Sequence, residues 1–222
     1  MKKGFKTASK RPALAQIRVI AKKHFNHAPA SHDWEHTLRV CRLCRRIGPK
    51  EKADMEVLLT AAYLHDIGRP HQDVSHGKTC HAEMGAELAV LILKSLDFSE
   101  HRRRNIIHCI RSHRFRGNCS PKTIEAKVLY DADKLDSIGA VGVARAFLFA
   151  GELGARLHNP HIRIASAKPY SKNDTGFREY KVKLSKIRNR MQTKTGREMA
   201  EDRHHFMDDF FNRLQDEYNG KR

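Results

Sequence analysis

Apolar residues recur at three- and four-residue steps through most of the chain, which is the period of an amphipathic α-helix. No segment combines strand-like alternation with a turn signal, and no internal repeat or low-complexity stretch interrupts the pattern. The chain is therefore predicted to be all-α. The helices predicted up to residue 150 span about residues 12–25, 31–48, 52–66, 80–95, 100–114, 121–135 and 137–150.

Local signals indicate where several of these helices begin and end. The expected N-terminal caps are Ser31, Ser99 and Ser120, and the last of them is followed by proline at the first helical position. Gly48 and Gly68 are typical of helix ends, because glycine adopts the left-handed conformation that often closes a helix.

The pattern changes between Gly151 and Gly176, where glycine, proline and asparagine interrupt the helical period. We expect a long loop here, and long loops in compact domains are often functional. Two apolar stripes then predict two closing helices that pack on the core. The first stripe comprises Phe177, Tyr180, Leu184, Ile187 and Met191, and the second comprises Met199, Phe206, Phe210, Leu214 and Tyr218.

Positive charge dominates the composition, with 43 Lys and Arg residues against 25 Asp and Glu residues and a formal net charge of +18. Such an imbalance attracts polyanions, among which nucleotides, nucleic acid and anionic membrane surfaces all qualify. The basic residues are spread along the chain in short clusters such as 102–104, without a recognisable nucleic-acid-binding motif. We favour a small phosphorylated partner, keep nucleic acid as the alternative and expect no membrane partner; the oligomeric state stays open.

Several features favour a cytoplasmic location. No apolar run approaches the roughly 20 residues that span a bilayer, and no apolar segment follows the basic N-terminus as it would in a secretory signal. The five cysteines, an odd number, are expected to be reduced thiols. Cys41 and Cys44 form a CxxC pair within a predicted helix, and we interpret them as core residues rather than as zinc or redox ligands.

Four side chains able to bind a metal fall on inward faces of the predicted helices. His36 and His65 each share a helical stripe with aliphatic residues, Asp66 follows His65 at the end of its helix, and Asp133 lies on an apolar stripe as well. A buried imidazole or carboxylate needs a partner, and one metal ion could serve all four. The alternative is that each side chain makes its own hydrogen bond in the core.

Two imidazoles and two carboxylates form a mixed nitrogen and oxygen ligand set. Such a set suits manganese, iron, cobalt, nickel or zinc better than calcium, and magnesium is kept among the candidates. A divalent ion of this kind lowers the pKa of a bound water and polarises a phosphoryl oxygen. The chain contains no GxxxxGK[ST] motif, which excludes a P-loop and leaves phosphate binding to metal, histidine and basic side chains.

These residues resemble the HD phosphohydrolase superfamily, in which a histidine, a His-Asp pair and a distant aspartate on helices surround one metal. The run Leu64–Gly68 looks like the signature around the pair, His36 matches the first histidine and Asp133 matches the last aspartate. A second pair, His32 and Asp33, lies at a predicted helix start without a preceding apolar face. We therefore reject it as the ligand pair.

The resemblance extends from about residue 14 to residue 219, with runs at 131–147 and 195–207 that look like a bacterial subfamily of small stand-alone HD hydrolases. Members of that subfamily are similar to nucleoside triphosphate pyrophosphohydrolases. The resemblance implies an HD metal-binding helical domain over 12–150, and a loop with two C-terminal helices packed on the same core over 151–222. The metal ligands it implies are His36, His65, Asp66 and Asp133, with Asp66 and Asp133 also catalytic.

Four further residues are expected to contact the substrate. His81 and His113 lie on inward stripes, and in HD relatives with two metals extra histidines at comparable places complete the second site. We place contact with phosphate first, a second metal next and simple packing last. Lys134 is the best-placed cation beside Asp133, and Asp136, one turn further on, could orient Lys134 or a metal-bound water.

The resemblance and the charge together predict a metal-dependent phosphohydrolase that acts on a phosphoric anhydride or ester, with a nucleotide as the expected substrate. An HD phosphodiesterase or a nucleoside monophosphatase is the alternative on the same scaffold. The alternative from another class is a basic nucleic-acid-binding module without turnover, which would show salt-dependent affinity for DNA or RNA.

Overall fold

The computed structural model describes residues 12–25, 34–75, 78–114 and 119–222, and in these ranges its regular elements are all helical. The all-α prediction is therefore confirmed. The α-helices are α1 (Pro12–Lys23), α2 (Trp34–Ile47), α3 (Met55–Leu64), α4 (Arg69–Val74), α5 (His81–Lys94), α6 (Glu100–Ser112), α7 (Ile124–Leu135), α8 (Gly139–Glu152), α9 (Gly176–Val182) and α10 (Lys194–Tyr218).

Helix α3 lies at the centre of the bundle and packs against α1, α2, α6 and α7. Every residue from Val57 to Leu64 is buried, so this helix is apolar on all sides, as expected for one enclosed by other helices. It begins at Asp54, whose carboxylate accepts hydrogen bonds from the backbone N–H groups of Glu56 and Val57 at 3.0 and 3.3 Å. This cap satisfies two donors that the first turn would otherwise leave unpaired.

The structure confirms one predicted helix start and corrects another. Ser99 caps α6 by accepting a hydrogen bond from the N–H of Arg102, whereas α7 begins at Ile124 and not at Pro121. The cap of α7 is Thr123, whose hydroxyl also donates to the side-chain oxygen of Asn105 on α6 at 2.7 Å. This tertiary bond fixes the start of α7, and the local Ser-Pro signal at Ser120 could not show it. Ser31 lies outside the described residues.

A short helix, α4, follows the turn at Gly68, where the sequence pattern predicted only a helix end. It packs against α5. The turn and α5 approach closely, since a Cβ on Gly68 would lie 2.3 Å from the carbonyl oxygen of His81 and 2.5 Å from the backbone nitrogen of Gly85. Glycine is therefore required at position 68 by the space available.

The first closing helix is shorter than predicted. Helix α9 ends at Val182, and two 3-10 turns follow it at Leu184–Lys186 and Arg188–Arg190. Lys183 breaks the helix with φ −136° and ψ −57°. The apolar stripe nevertheless faces the core, because i and i+3 side chains share a face in both kinds of helix. Its buried members are Phe177, Tyr180, Leu184, Ile187 and Met191.

The second predicted stripe is wrong in part. Phe206 and Tyr218 of α10 are 45% and 47% exposed. The face that α10 buries against α7 and α8 contains Gly196, Ala200, His204, Met207 and Phe211. The other three members, Met199, Phe210 and Leu214, are partly buried and pack against the core, as predicted. The predicted stripe is displaced from the fully buried face because small residues such as Gly196 and Ala200 carry little hydrophobic signal.

The N-terminus of α10 is attached to α7 by a buried carboxylate. Asp131 accepts hydrogen bonds from the backbone N–H groups of Gln192 and Thr193, each at 2.8 Å, and from the Thr193 hydroxyl at 2.7 Å. Thr193 in turn caps α10 by accepting from the N–H of Gly196. The C-terminal segment is thus bonded directly to a helix that carries a predicted metal ligand.

Cys41 and Cys44 are buried in the hydrophobic core, in agreement with their interpretation as core residues, and the five cysteines are free thiols. None of the described helices has the length and apolar character needed to cross a membrane.

Candidate metal centre

The predicted ligands lie at one end of the bundle, where α2 begins and α3 and α7 end. His36 is in the first turn of α2, and His65 directly follows α3. Asp133 is in the last turn of α7. Residues 97 positions apart in the sequence are therefore brought to one place by the ends of three helices.

Three of these side chains, His36, His65 and Asp66, form one compact group of ligand atoms, and Asp133 approaches this group through His36. His36 Nε2 lies 3.3 Å from His65 Nε2, 3.3 Å from an Asp133 oxygen and 3.7 Å from an Asp66 oxygen. His65 Nε2 lies 3.8 Å from the same Asp66 oxygen. Ligand atoms about 2.0–2.2 Å from a shared ion are separated by roughly 3–3.5 Å, so these spacings fit one divalent cation.

Hydrogen bonds at the other ring nitrogens fix the histidine tautomers. His65 Nδ1 must donate to the carbonyl oxygen of Ala62, 2.8 Å away, because a carbonyl only accepts. His36 Nδ1 lies 2.7 Å from the Asp136 carboxylate and donates to it. Each neutral ring therefore presents an unprotonated Nε2 to the centre, which is the form that binds a metal.

Burial and neighbouring charges set the protonation of the centre. Burial lowers the pKa of His65 to about 4, so this ring is neutral at pH 7. For His36, burial lowers the pKa, but hydrogen bonds to Asp133 and Asp136 outweigh it, and the net pKa is raised. A proton on His36 thus stabilises the metal-free centre, and a cation would replace it.

Both carboxylates of the centre stay ionised. Burial alone raises the pKa of Asp66, but Arg69, His65 and His113 hold it well below its usual range. Burial likewise opposes ionisation of Asp133, and Lys134 and His36 again hold the pKa well below the usual range. Two negative charges in a buried site require compensation by positive charge.

Asp66 also takes part in a second group with His81 and His113. One Asp66 oxygen lies 3.5 Å from the Nε2 atom of each of these histidines, and the two Nε2 atoms are 3.2 Å apart. Both groups of three ligand atoms, one with His36 and His65 and one with His81 and His113, are compact enough to hold an ion. Asp66 therefore joins two clusters through its two oxygens.

Arg69 lies beside the second group. Its Nη2 is 3.2 and 3.3 Å from the two Asp66 oxygens and 3.4 Å from His81 Nε2. Sequence reasoning did not single out Arg69, although it directly follows the Leu64–Gly68 run. Its guanidinium supplies positive charge where a second cation would otherwise be expected.

Asp136 lies against His36 and is enclosed by arginines. Its carboxylate accepts two hydrogen bonds from Arg39, at 2.7 and 3.1 Å, and one from Arg145 at 2.8 Å. The Asp136 carboxylate therefore bonds His36 and two arginines, whereas Lys134 bonds Asp133. Arg39 and Arg145 were not identified from the sequence, because their partner lies about 100 residues away or across a helix junction.

Lys134 binds Asp133, with Nζ 2.6 Å from a carboxylate oxygen. Both side chains are mostly buried, and the lysine ammonium also lies 5.3 Å from the centre of the Tyr130 ring. Lys134 is therefore beside the centre, as the sequence predicted, but it acts first as the partner of a candidate ligand. The rejected pair, His32 and Asp33, lies outside the described residues.

Comparison with known proteins agrees with this geometry. A family model described as the HD domain matches residues 33–138. The uncharacterised protein YpgQ of Bacillus subtilis is 35% identical over 209 residues, which cover 92% of this chain and 93% of YpgQ. A crystal structure of YpgQ in complex with ADP has a TM-score of 0.72 at 31% identity, covering 92% of this chain and 97% of that one.

Two further solved structures are similar over nearly the whole chain. An HD-superfamily hydrolase from Bacillus thuringiensis has a TM-score of 0.74 at 26% identity, covering 95% of this chain and 99% of its own. A predicted HD-superfamily hydrolase from an uncultured Thermotogales bacterium has a TM-score of 0.66 at 31% identity, covering 93% and 94%. The sequence, the fold and these relatives lead to one conclusion: the chain belongs to the HD-domain phosphohydrolase superfamily.

Proposed function

We propose that this protein hydrolyses a phosphoric anhydride in a nucleotide, with one divalent metal ion held by His36, His65, Asp66 and Asp133. One observation carries the proposal: the Nε2 atoms of His36 and His65 and an Asp66 oxygen form a compact buried group, and an Asp133 oxygen lies 3.3 Å from His36 Nε2. When bound, a divalent ion supplies Lewis acidity and activates water at neutral pH.

Buried charges arranged around the centre suit a phosphate substrate. Lys134 and Arg69 each bind a candidate metal ligand, with side chains that are 10% and 16% exposed. These two cations lie beside the candidate ligands, and fixed positive charge there would stabilise the charge that builds up during phosphoryl transfer.

The roles of His81 and His113 follow from their tautomers. His113 Nδ1 donates to the carbonyl oxygen of Ile110 at 2.5 Å, and His81 Nδ1 lies 2.8 Å from the side-chain oxygen of Gln72. With Nδ1 as the donor, each ring directs its Nε2 toward Asp66 and the other histidine, and burial lowers the pKa of His81 to about 2. An unprotonated Nε2 accepts hydrogen bonds. We therefore infer that these rings accept a hydrogen bond from a water or from Arg69 and do not contact the phosphate directly.

A nucleotide is the proposed substrate because YpgQ, which is similar over most of this chain, binds ADP in its crystal structure. The net charge of +18 also favours a compact polyanion. Among nucleotides, a triphosphate is the substrate that the subfamily resemblance implies.

The test is a nucleotide panel with purified protein in manganese, cobalt or magnesium, in which released phosphate and pyrophosphate are read separately. We expect pyrophosphate from nucleoside triphosphates, and His65→Ala should lose both bound metal and turnover. His101→Ala is the matched control, because His101 is exposed on α6, outside the centre. Release of phosphate from monophosphates alone would establish the monophosphatase alternative instead.

A further inference from the structure

Away from the candidate metal centre, a cavity lies in the C-terminal part of the chain, between the loop that precedes α9, α9 itself and the last turns of α10. Its volume is about 300 Å³, which is at the lower end of the range for small-molecule sites. Among the described residues that line it, two are arginines, Arg163 and Arg178, and none is acidic. The lining thus carries two guanidinium groups, of which Arg178 is paired with Asp174 and Arg163 is exposed.

This cavity is separate from the metal centre. Arg203 of α10 donates a hydrogen bond to the carbonyl oxygen of Leu135, which is adjacent to Asp136, whereas Gln215 of the same helix lines the cavity. At about 1.5 Å per residue, these two positions are roughly 18 Å apart along the helix. One ligand of the volume of the cavity cannot reach both sites.

The Arg178 guanidinium is held in place with part of its donor set unused. Its Nε donates to the carbonyl oxygen of Ala167 at 3.0 Å, and its Nη1 donates to Asp174 at 2.7 Å. The side chain is 13% exposed, and its hydrogen bonds within the described part of the chain use Nε and Nη1 and not Nη2. A fixed arginine with free N–H groups beside a cavity is suited to bind an oxyanion.

His158 adds a buried polar atom without a partner. The residue is 9% exposed, and its Nδ1 makes no hydrogen bond within the described part of the chain. Edge contacts with Phe177 and Tyr218, at 4.8 and 4.9 Å between ring centres, hold the ring at the wall of the cavity. Buried polar atoms are normally paired, so His158 is a polar group in the wall whose Nδ1 lacks a partner within the described residues.

Neutral donors and an apolar wall complete the lining. The Asn159 side-chain nitrogen donates to the side-chain oxygen of Asn173 at 3.0 Å. This bond does not use the side-chain N–H groups of Asn173, which can donate to a ligand. Phe177 and two isoleucines form the apolar wall. A ligand with an anionic group and a small apolar body matches this distribution of groups.

We propose that this cavity binds a small molecule that carries a phosphate group, at a site that acts independently of the metal centre. Two arginines and an amide can surround the three terminal oxygens of a phosphate, which carries more charge than a carboxylate. The inference does not rest on the proposed hydrolytic function, because no residue is shared between the two sites.

The experiment is a titration of metal-free full-length protein with inorganic phosphate, followed by calorimetry. The His65→Ala background suppresses metal binding at the other site. Arg163→Gln and Arg178→Lys should each weaken phosphate binding about tenfold, which corresponds to about 1.4 kcal/mol. Arg156→Gln is the matched control, because Arg156 is exposed on the same loop and does not line the cavity.

Equal phosphate affinity in Arg163→Gln and Arg156→Gln would overturn the proposal, because the phosphate would then bind elsewhere on the basic surface. Absence of saturable phosphate binding would overturn it as well. Arg163 is exposed, so its replacement is expected to leave folding intact even if Arg178→Lys disturbs the bond to Asp174.

Discussion

At the scale of single residues, the candidate metal centre depends on the hydrogen bond that each histidine makes through Nδ1, the ring nitrogen that points away from the centre. The sequence could identify the four candidate ligands, because each polar residue interrupts an apolar helical stripe, and their role as ligands stays a prediction. Asp136 as the partner of His36 could not be predicted, since Asp136 is 100 residues away from it and the angle between two helices decides the contact. Arg39 and Arg145 were missed for the same reason.

Replacing Asp136 tests this dependence. Asp136→Asn removes the charge that holds His36 in its metal-binding tautomer, and we expect metal affinity to fall about 10–100-fold. Competition with a chelator measures the change. Asp97→Asn is the control, since Asp97 is an exposed aspartate outside the centre. Wild-type metal affinity in Asp136→Asn would mean that the tautomer is set by other contacts.

The protonation of His36 gives a pH dependence with a defined sign. Its pKa is raised above the usual 6.5, so the metal-free ring holds a proton that the ion must displace. Below that raised pKa, metal affinity should fall about tenfold per pH unit. His65, with a pKa of about 4, should not add a second proton until pH 4 is approached. Metal titrations from pH 5 to 8 measure the slope, and a slope of two above pH 5 would contradict the assignment.

At the scale of elements, the sequence predicted which segments are helical better than where they end. Periodic apolar residues identify α2, α3, α5, α6 and α7 because their buried faces are wide. The start of α7 and the break after Val182 depend on contacts with other segments, which local signals do not contain. The buried face of α10 was misplaced because close packing there uses Gly196 and Ala200.

Gly196 offers a direct test of how α10 is attached. A Cβ at this position would lie 2.2 Å from an Asp131 oxygen and 2.8 Å from the Thr193 hydroxyl. Gly196→Ala should therefore lower the free energy of unfolding by about 1–3 kcal/mol, measured by chemical denaturation. Gly151→Ala is the control, because no atom lies within 4 Å of its Cβ position. Equal stability of the two variants would show that the attachment tolerates the extra methyl group.

At the scale of the whole molecule, part of the positive charge has structural partners. Arg102 binds Asp54 at 3.1 Å and Glu56 at 2.5 Å, and so connects α6 to the start of α3. The basic cluster at 102–104 is therefore not uniformly a solvated surface. From the sequence, only the excess of charge was visible, because pairing between charges depends on which helices are neighbours.

Substitutions of two arginines in this cluster distinguish a charge that stabilises the fold from one that contributes only to the net charge. Arg102→Gln should lower the free energy of unfolding by at most about 1 kcal/mol, since the side chain is 39% exposed. Arg104→Gln, 71% exposed and 4.0 Å from Glu100, should leave stability unchanged. Both variants should change the salt dependence of nucleotide turnover equally and slightly. Loss of turnover in Arg102→Gln alone, at unchanged stability, would point to a binding role for that side chain.

Asp131 and Asp133 lie two positions apart on α7, so they project from nearly opposite sides of the helix. Asp131 anchors the segment that begins α10, and Asp133 lies in the candidate metal centre. A protein truncated before residue 192 would keep all four candidate metal ligands. It would lose the three hydrogen bonds that Gln192 and Thr193 donate to Asp131. In a genetic screen, we expect such truncation alleles to show the same phenotype as substitutions of the candidate ligands, although they change none of those residues.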